Sequence, residues 1–271
     1  MTASGKDAAG PGMLTTGSGR IRIVEETPAA ADGIPAFRQA EWAERWPWLA
    51  QGTTWRGTDG AFDLGLSGRE PIGEVLARWR WVRQTLGFGA AVHSRQVHGS
   101  RVLRHAAGFE GMLLAGPADG HTTALSGLLL TVSVADCVPV FVVAPAARAV
   151  ALLHAGWRGS AAGVLEAGVE ALSSLTGARP ADLHVHFGPA ICGDCYEVGP
   201  EVHAALGLTG GTGRGRVDLR GVLAARAAAA GVRPHAITRS ARCTRCEPDR
   251  FFSHRAGAAG RQAAWLGVSA S

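Results

Sequence analysis

The chain has 271 residues, 46% of them hydrophobic and 18% charged, which is enough apolar material for a sizeable core and too little charge for a disordered chain. The formal net charge is +5, carried almost wholly by arginine because Lys6 is the only lysine. The arginines are scattered rather than blocked, which argues against nucleic acid as a partner.

Residues 1–20 are rich in Gly, Ser, Thr and Ala without periodicity and read as a flexible tail, leaving 21–271 as one α/β domain. RIRIVEE (20–26) alternates and reads as a short strand. The segment with Trp42, Trp46 and Trp48 is mixed in pattern. GREPIGEVLARWRWVRQTLGF (68–88) reads as an amphipathic helix, with Ile72, Val75, Leu76, Trp79, Val82 and Leu86 at spacings of three and four. Short apolar, β-branched runs follow: GAAVHS, GSRVLRH, LLLTVSVADC, VPVFVVAP, AVALLHAG and LHVHFGPA, most of them bounded by turn residues. Helices are expected over 160–175, 200–206 and 218–232, the last stopped by Gly231 and Pro234, and one more strand over 233–238. No apolar run approaches the roughly 20 residues of a membrane span. No basic-then-apolar leader pattern is present either, so the expectation is a cytoplasmic protein with no membrane partner and no evident protein partner.

Three reactive side chains stand at the ends of apolar runs: His98 in QVHG, Cys137 in VADC and His154 at the end of AVALLHAG. Strand-end loops are where a rigid sheet can aim side chains at one point. A thiolate and two imidazoles match the ligand sets of catalytic zinc, which keeps one position open and activates water at neutral pH. The same residues also allow a thiol nucleophile with a histidine base, and spacing does not choose between the two. Taken singly, each has a plain reading as a buried small hydrophobe or a capping histidine. In HAGWRG (154–159), Gly156 and Gly159 permit a tight turn and close backbone approach, and Ser160 is suited to cap the next helix. That helix end and Arg158 suit an anion such as phosphate, although Arg158 in an ion pair and Trp157 in the core explain the same residues. FFSHRAGAAGR (251–261) offers Phe252, His254, Arg255 and Arg261 for a flat ring and an anion; the competing reading is a C-terminal strand with Phe251 in the core. Two Cys-x-x-Cys pairs, Cys192/Cys195 and Cys243/Cys246, are open to a structural Cys₄ zinc site or to redox activity, but no thioredoxin-like context surrounds them and they have 47 residues between them. That exceeds the roughly 15–20 of common zinc sites, so the pairs read as incidental or packing thiols.

QVHG, ADC, HAGWRG, GPAI with CYEVG, and FFS with its arginines, in this order, resemble the laccase-domain or polyphenol oxidase family, more recently recognised as zinc-dependent purine nucleoside phosphorylases. The resemblance runs from about Thr53 to the C-terminus, and HAGWRG is its most specific part. It implies an α/β/β/α sandwich with a mixed sheet and a Zn2+ site at His98, Cys137 and His154. It also implies phosphorolysis of adenosine, inosine, guanosine and methylthioadenosine to base and ribose 1-phosphate, with deamination of adenosine. Purine nucleosides and phosphate are then the partners, with Arg56, Arg158, Phe252 and Arg255 as substrate-binding candidates. The chain departs from the pattern at TTWRG (53–57), where Arg56 is displaced, and at Asp63, where Asn is usual. Further departures are His121, Asp194 in place of a common second Cys, His254 in place of Tyr, and Ala256 in place of Arg. Most stand at expected substrate positions and bear on preference or activity. Copper is the alternative metal, as in a polyphenol oxidase. Multicopper oxidases need clustered His-x-His pairs, however, and His184-Val-His186 is the single one here. The same residues are also open to a metal-free cysteine hydrolase and to a nucleoside-binding protein without turnover.

Overall fold

The computed structural model describes residues 20–28, 32–66, 68, 70–209 and 212–270. The tail expected over 1–20 lies outside them, Arg20 apart. From the N-terminus come strands β1 (Arg22–Val24), β2 (Thr27–Pro28) and β3 (Ala36–Arg38), helix α1 (Ala40–Arg45) and strand β4 (Leu49–Thr54). Helix α2 (Ile72–Thr85) precedes β5 (Ala90–Arg95), β6 (Val102–His105), β7 (Gly111–Pro117), β8 (Gly120–Thr123), β9 (Leu128–Val134), β10 (Val138–Ala144) and β11 (Ala149–Ala155). Then come helices α3 (Trp157–Ala161) and α4 (Val164–Thr176), β12 (His184–Phe187), β13 (Glu197–Val198) and α5 (Pro200–Ala205). Strand β14 (Gly215–Arg216), helix α6 (Leu219–Ala229) and strands β15 (Ile237–Ser240) and β16 (Gln262–Val268) follow.

Two seven-stranded sheets carry the fold, in the orders β1-β15-β12-β10-β11-β8-β6 and β2-β3-β4-β16-β9-β5-β7. Both mix parallel and antiparallel pairs. Strands β10 and β11 are buried at every position, which explains their unbroken apolar runs. Their side chains alternate between two cores. Val138, Val140, Val142, Ala151 and Leu153 meet α4 and α6, while Phe141, Val143, Val150 and Leu152 meet Leu130, Val132 and Leu266 of the other sheet. A third core lies on the far side of the second sheet, where Val75, Trp79 and Val82 of α2 cover Ala91, Leu129 and Trp265. The layer order is helix, sheet, sheet, helix, the α/β/β/α sandwich that the resemblance implied. Each fully buried Val, Leu or Phe side chain contributes about 1.5–3 kcal/mol, so the stack is held mainly by these three apolar layers.

Local departures from the expected elements have local causes. The helix expected over 160–175 is two helices, because Gly163 adopts a left-handed φ of 88° between α3 and α4. Ser160 is buried inside α3 rather than capping a helix, and its hydroxyl meets no partner among the described residues. Ile72 is 53% exposed, at the outer side of the first turn of α2. The strand expected over 233–238 is a 3-10 turn, Pro234–Ala236, followed by β15. No helix among the described residues is long and apolar enough to cross a membrane.

Candidate metal centre and active site

The three reactive residues converge where the chain passes between the sheets. His98 follows β5 of the second sheet, Cys137 sits in the crossing from β9 to β10, and His154 lies near the end of β11 in the first sheet. Their ligand atoms all lie within 4.8 Å of one another. Cys137 Sγ is 3.9 Å from His98 Nε2, and the His98 and His154 rings are 4.8 Å apart at 78°. Zinc–sulfur and zinc–nitrogen bonds of about 2.3 and 2.0 Å in a tetrahedron set sulfur and nitrogen about 3.5 Å apart. The set therefore fits a metal ion with only small movement.

The glycines of HAGWRG follow from this approach. A Cβ on Gly156 would lie 2.9 Å from both Cys137 Sγ and His98 Cδ2, and one on Gly159 would lie 2.9 Å from the Gly99 carbonyl oxygen. Trp157 is half-buried against the first core, with the Arg158 guanidinium 4.3 Å above its ring.

Asp119 organises the two histidines. Its Oδ1 accepts from the His98 backbone N–H at 2.9 Å and lies 2.8 Å from His154 Nδ1. Its Oδ2 accepts from Val97 and Gly99 N–H at 3.1 and 2.8 Å. These bonds hold His98 in its left-handed conformation, φ 59°, and turn His154 Nε2 toward the centre. Sequence reasoning did not single out Asp119, which stands two residues before the departure noted at His121. Asp136 was missed as well. It stands at φ 83° before Cys137, with Thr244 Oγ1 donating to Oδ1 and the Arg255 N–H donating to Oδ2, each at 2.6 Å.

Burial works against charge at Cys137, but the neighbouring His154 charge and hydrogen bonds from both histidines outweigh it and lower the thiol to about 6. Burial likewise opposes a charged His154, yet the Cys137 thiolate and Asp119 raise it to about 9. Burial also disfavours the Asp119 carboxylate, but its bonds from His154 and the loop N–H groups bring it below the usual range. Without metal, the centre is thus a thiolate–imidazolium pair backed by a carboxylate.

A cavity of about 480 Å³ opens on the centre. His98, Cys137 and His154 line it together with apolar Leu66, Leu114 and Ala115 and polar His93, Gln96, Ser133, His254 and Arg261. Burial, reinforced by the His154 charge and only partly offset by a bond to Thr131, lowers His93 to about 4 and keeps it neutral. Gln96 is clamped to Ser133 through both atoms of its amide, at 2.8 and 2.7 Å.

Other expected substrate residues stand away from this wall. Arg56 donates to the Pro248 carbonyl at 2.9 Å and lies 5.0 Å above the Phe252 ring. Phe252 and Phe251 are both buried, so neither ring is open to stack a base. Arg255 donates to the Glu197 carbonyl at 2.7 Å and lies 5.2 Å above the Tyr196 ring. Burial and the Cys137 charge push the Tyr196 hydroxyl up to about 12 against the pull of Arg255 and Arg158. Asp63 ties its loop down by accepting from Gly65 and Arg261 N–H, each at 2.8 Å. His254 reaches the cavity, whereas Ala256 forms a turn with Ser253.

The reading of the remaining cysteines as incidental is corrected. Cys192, Cys195, Cys243 and Cys246 gather with all four Sγ atoms within 4.8 Å of one another. Strands β12 and β15 are parallel neighbours, so the loops leaving them emerge side by side however long the crossover between them.

Residues 51–269 match the family model described as multi-copper polyphenol oxidoreductase laccase. The purine nucleoside phosphorylase YlmD of Geobacillus stearothermophilus is 34% identical over 233 residues, covering 78% of this chain and 85% of that protein. The adenosine deaminase RL5, from an unknown prokaryotic organism, is 35% identical over 184 residues, 64% of this chain and 68% of that protein. The crystal structure of YlmD from Geobacillus stearothermophilus superposes with a TM-score of 0.80 at 30% identity, over 88% of this chain and 97% of that one. With the matched region spanning both sheets and the His98–Cys137–His154 centre, the chain belongs to this laccase-domain family and is an enzyme.

Proposed function

We propose that the protein is a zinc-dependent purine nucleoside phosphorylase. It would convert adenosine, inosine, guanosine or methylthioadenosine and phosphate to free base and ribose 1-phosphate, with deamination of adenosine as a second reaction. The observation that carries this reading is the convergence of His98, Cys137 and His154 at the wall of a cavity of about 480 Å³, within the range of small-molecule sites. The names of the relatives supply the substrate class. Zinc held by these three residues would supply Lewis-acid polarisation and water activation at neutral pH.

The chain's own residues do the rest. Asp119 fixes the His154 tautomer and the His98 loop, so the ligand set is in place before substrate enters. Apolar Leu66, Leu114 and Ala115 are available to the purine face, and neutral His93 with Ser133 and Gln96 to its polar edge. Arg158, in the short helix α3 that follows His154, is assigned to the phosphate, with Arg255, whose backbone N–H bonds Asp136 beside Cys137, as the second candidate. A phosphate oxygen adds to C1′ as the C1′–N9 bond breaks, and the bond's electron pair leaves with the purine, which takes up a proton. Copper-dependent phenol oxidation fits less well, because one His₂Cys group lacks the clustered histidines that a multicopper centre requires. One observation favours a second reading: the Cys137–His154–Asp119 pairing is also the arrangement of a thiol hydrolase.

The test is chromatography of products from inosine and adenosine, with and without phosphate, using wild type of measured zinc content beside Cys137→Ala. Phosphate-dependent hypoxanthine and adenine, lost in the variant, are expected. A folded, zinc-loaded wild type that releases no base and no inosine from adenosine would overturn the reading. Equal turnover by metal-free protein, abolished on alkylation, would favour the hydrolase.

A further inference from the structure

We infer that Cys192, Cys195, Cys243 and Cys246 form a second metal site, a structural four-thiolate centre for zinc, separate from the His98–Cys137–His154 centre. Cys195 Sγ lies 3.4 Å and Cys192 Sγ 3.9 Å from Cys246 Sγ, and no pair is joined as a disulfide. A tetrahedron of zinc–sulfur bonds of about 2.3 Å sets its sulfurs about 3.8 Å apart. Four sulfurs within 4.8 Å of one another, two of their separations already close to that spacing, can enclose one ion. A disulfide would use two of them and leave two thiols facing it.

The backbone is shaped to the same end. Each Cys-x-x-Cys forms a turn. The Cys195 N–H returns to the Cys192 carbonyl at 3.1 Å, and the Cys246 N–H points at Cys243 Sγ at 3.4 Å. The Cys192 N–H reaches the same sulfur at 3.2 Å. Two main-chain donors directed at one sulfur favour its thiolate, the form that binds metal. The two turns are held in register by an isolated parallel bridge between Ala190 and Cys243 and by the Thr244 N–H to the Ala190 carbonyl at 3.2 Å.

The site has a structural task in this position. It clips the loop after β12 to the loop after β15, across the α5–α6 crossover. Thr244, inside the second turn, is the residue that donates to Asp136 beside Cys137. The clip therefore anchors the segment on which Cys137 is carried. No open position is needed for this, and four thiolates leave none, as in closed structural zinc sites.

The experiment is zinc stoichiometry on purified full-length protein, with Cys137→Ala as the background that removes the other centre's thiolate. Wild type is expected to hold two zinc ions per chain, Cys137→Ala one, and Cys137→Ala with Cys246→Ser none. The zinc absorption edge of Cys137→Ala is a readout that does not depend on Cys246→Ser folding, and it is expected to show four sulfur neighbours at about 2.3 Å. Iodoacetamide labelling adds a third: the four thiols should be protected with zinc bound and all labelled after chelation. A folded, zinc-supplemented Cys137→Ala that holds no zinc would overturn the inference, as would nitrogen or oxygen neighbours at the edge or a disulfide found by intact mass. Loss of nucleoside turnover in Cys137→Ala bears only on the proposed function, so the two readings fail separately.

Discussion

Gly156→Ala places one methyl group between two of the three residues proposed to hold the catalytic metal. Gly156 has φ −79° and ψ 172°, a conformation open to alanine, so the backbone resists nothing. The added Cβ would lie 2.9 Å from Cys137 Sγ and 2.9 Å from His98 Cδ2, against 3.4–4 Å for ordinary contact. Each neighbour must retreat by about half an ångström, beyond the roughly 0.2 Å latitude of a metal–ligand bond. The expected result is a loss of about 10- to 100-fold in zinc affinity at that centre. A loss of about 10-fold or more in turnover follows, since a misplacement of about 1 Å costs about 100-fold. Stability should fall by only about 1–3 kcal/mol, the usual cost of overpacking. The assay is a chelator titration following the zinc equivalent that Cys137→Ala lacks, together with inosine phosphorolysis and Tm. Gly73→Ala, where a Cβ meets nothing within 4 Å, is the control. Wild-type zinc affinity and turnover in Gly156→Ala would refute the placement of metal between His98 and Cys137.

Three further outcomes follow from the same structure. Asp119→Asn removes the negative charge and one of the two acceptor oxygens that serve His154 Nδ1 and the Val97, His98 and Gly99 N–H groups; zinc retention should fall about 10- to 100-fold, measured by dialysis against chelator. His93 is lowered to about 4 from 6.5, chiefly by burial. The unfolded chain therefore binds the extra proton between those values, and stability is full above 6.5 and declines as pH falls toward 4. The decline has a ceiling of roughly 3 kcal/mol; Tm from pH 7.5 to 4.5 should drop more in wild type than in His93→Gln, and parallel curves would contradict this. Trp79→Ala empties the α2 core and removes the Trp79 Nε1–H bond to the Leu64 carbonyl at 3.0 Å; a loss of about 3–5 kcal/mol is expected in denaturant melts.

The sequence was most legible where burial was two-sided. Strands β9, β10 and β11 announced themselves because the cores on both faces demand apolar side chains at nearly every position. Strand β15 was misplaced because its burial is polar. Thr238 pairs with His186 and Ser240 with Glu26, a network that hydrophobic patterning does not see. Helix α4 was merged with α3 because residues 159–164 at their junction are small with no proline, and only the left-handed Gly163 divides them. Of the three proposed ligands, Cys137 and His154 were visible at the ends of apolar runs and His98 before a glycine in the loop after one. Asp119, which aligns two of them, was not, since an aspartate before a strand has many ordinary uses. The four-cysteine cluster was hidden by distance along the chain. Its pairs follow parallel strands joined by a long crossover, and spacing rules drawn from short hairpins do not apply there.

The most direct test of the central claim is ribose 1-phosphate formation from inosine as zinc is returned to chelator-stripped protein. The predicted result is no product without metal, a rate that rises with bound zinc, and a flat baseline in His98→Ala. Full phosphorolysis by zinc-free protein, or an undiminished rate in His98→Ala, would contradict it.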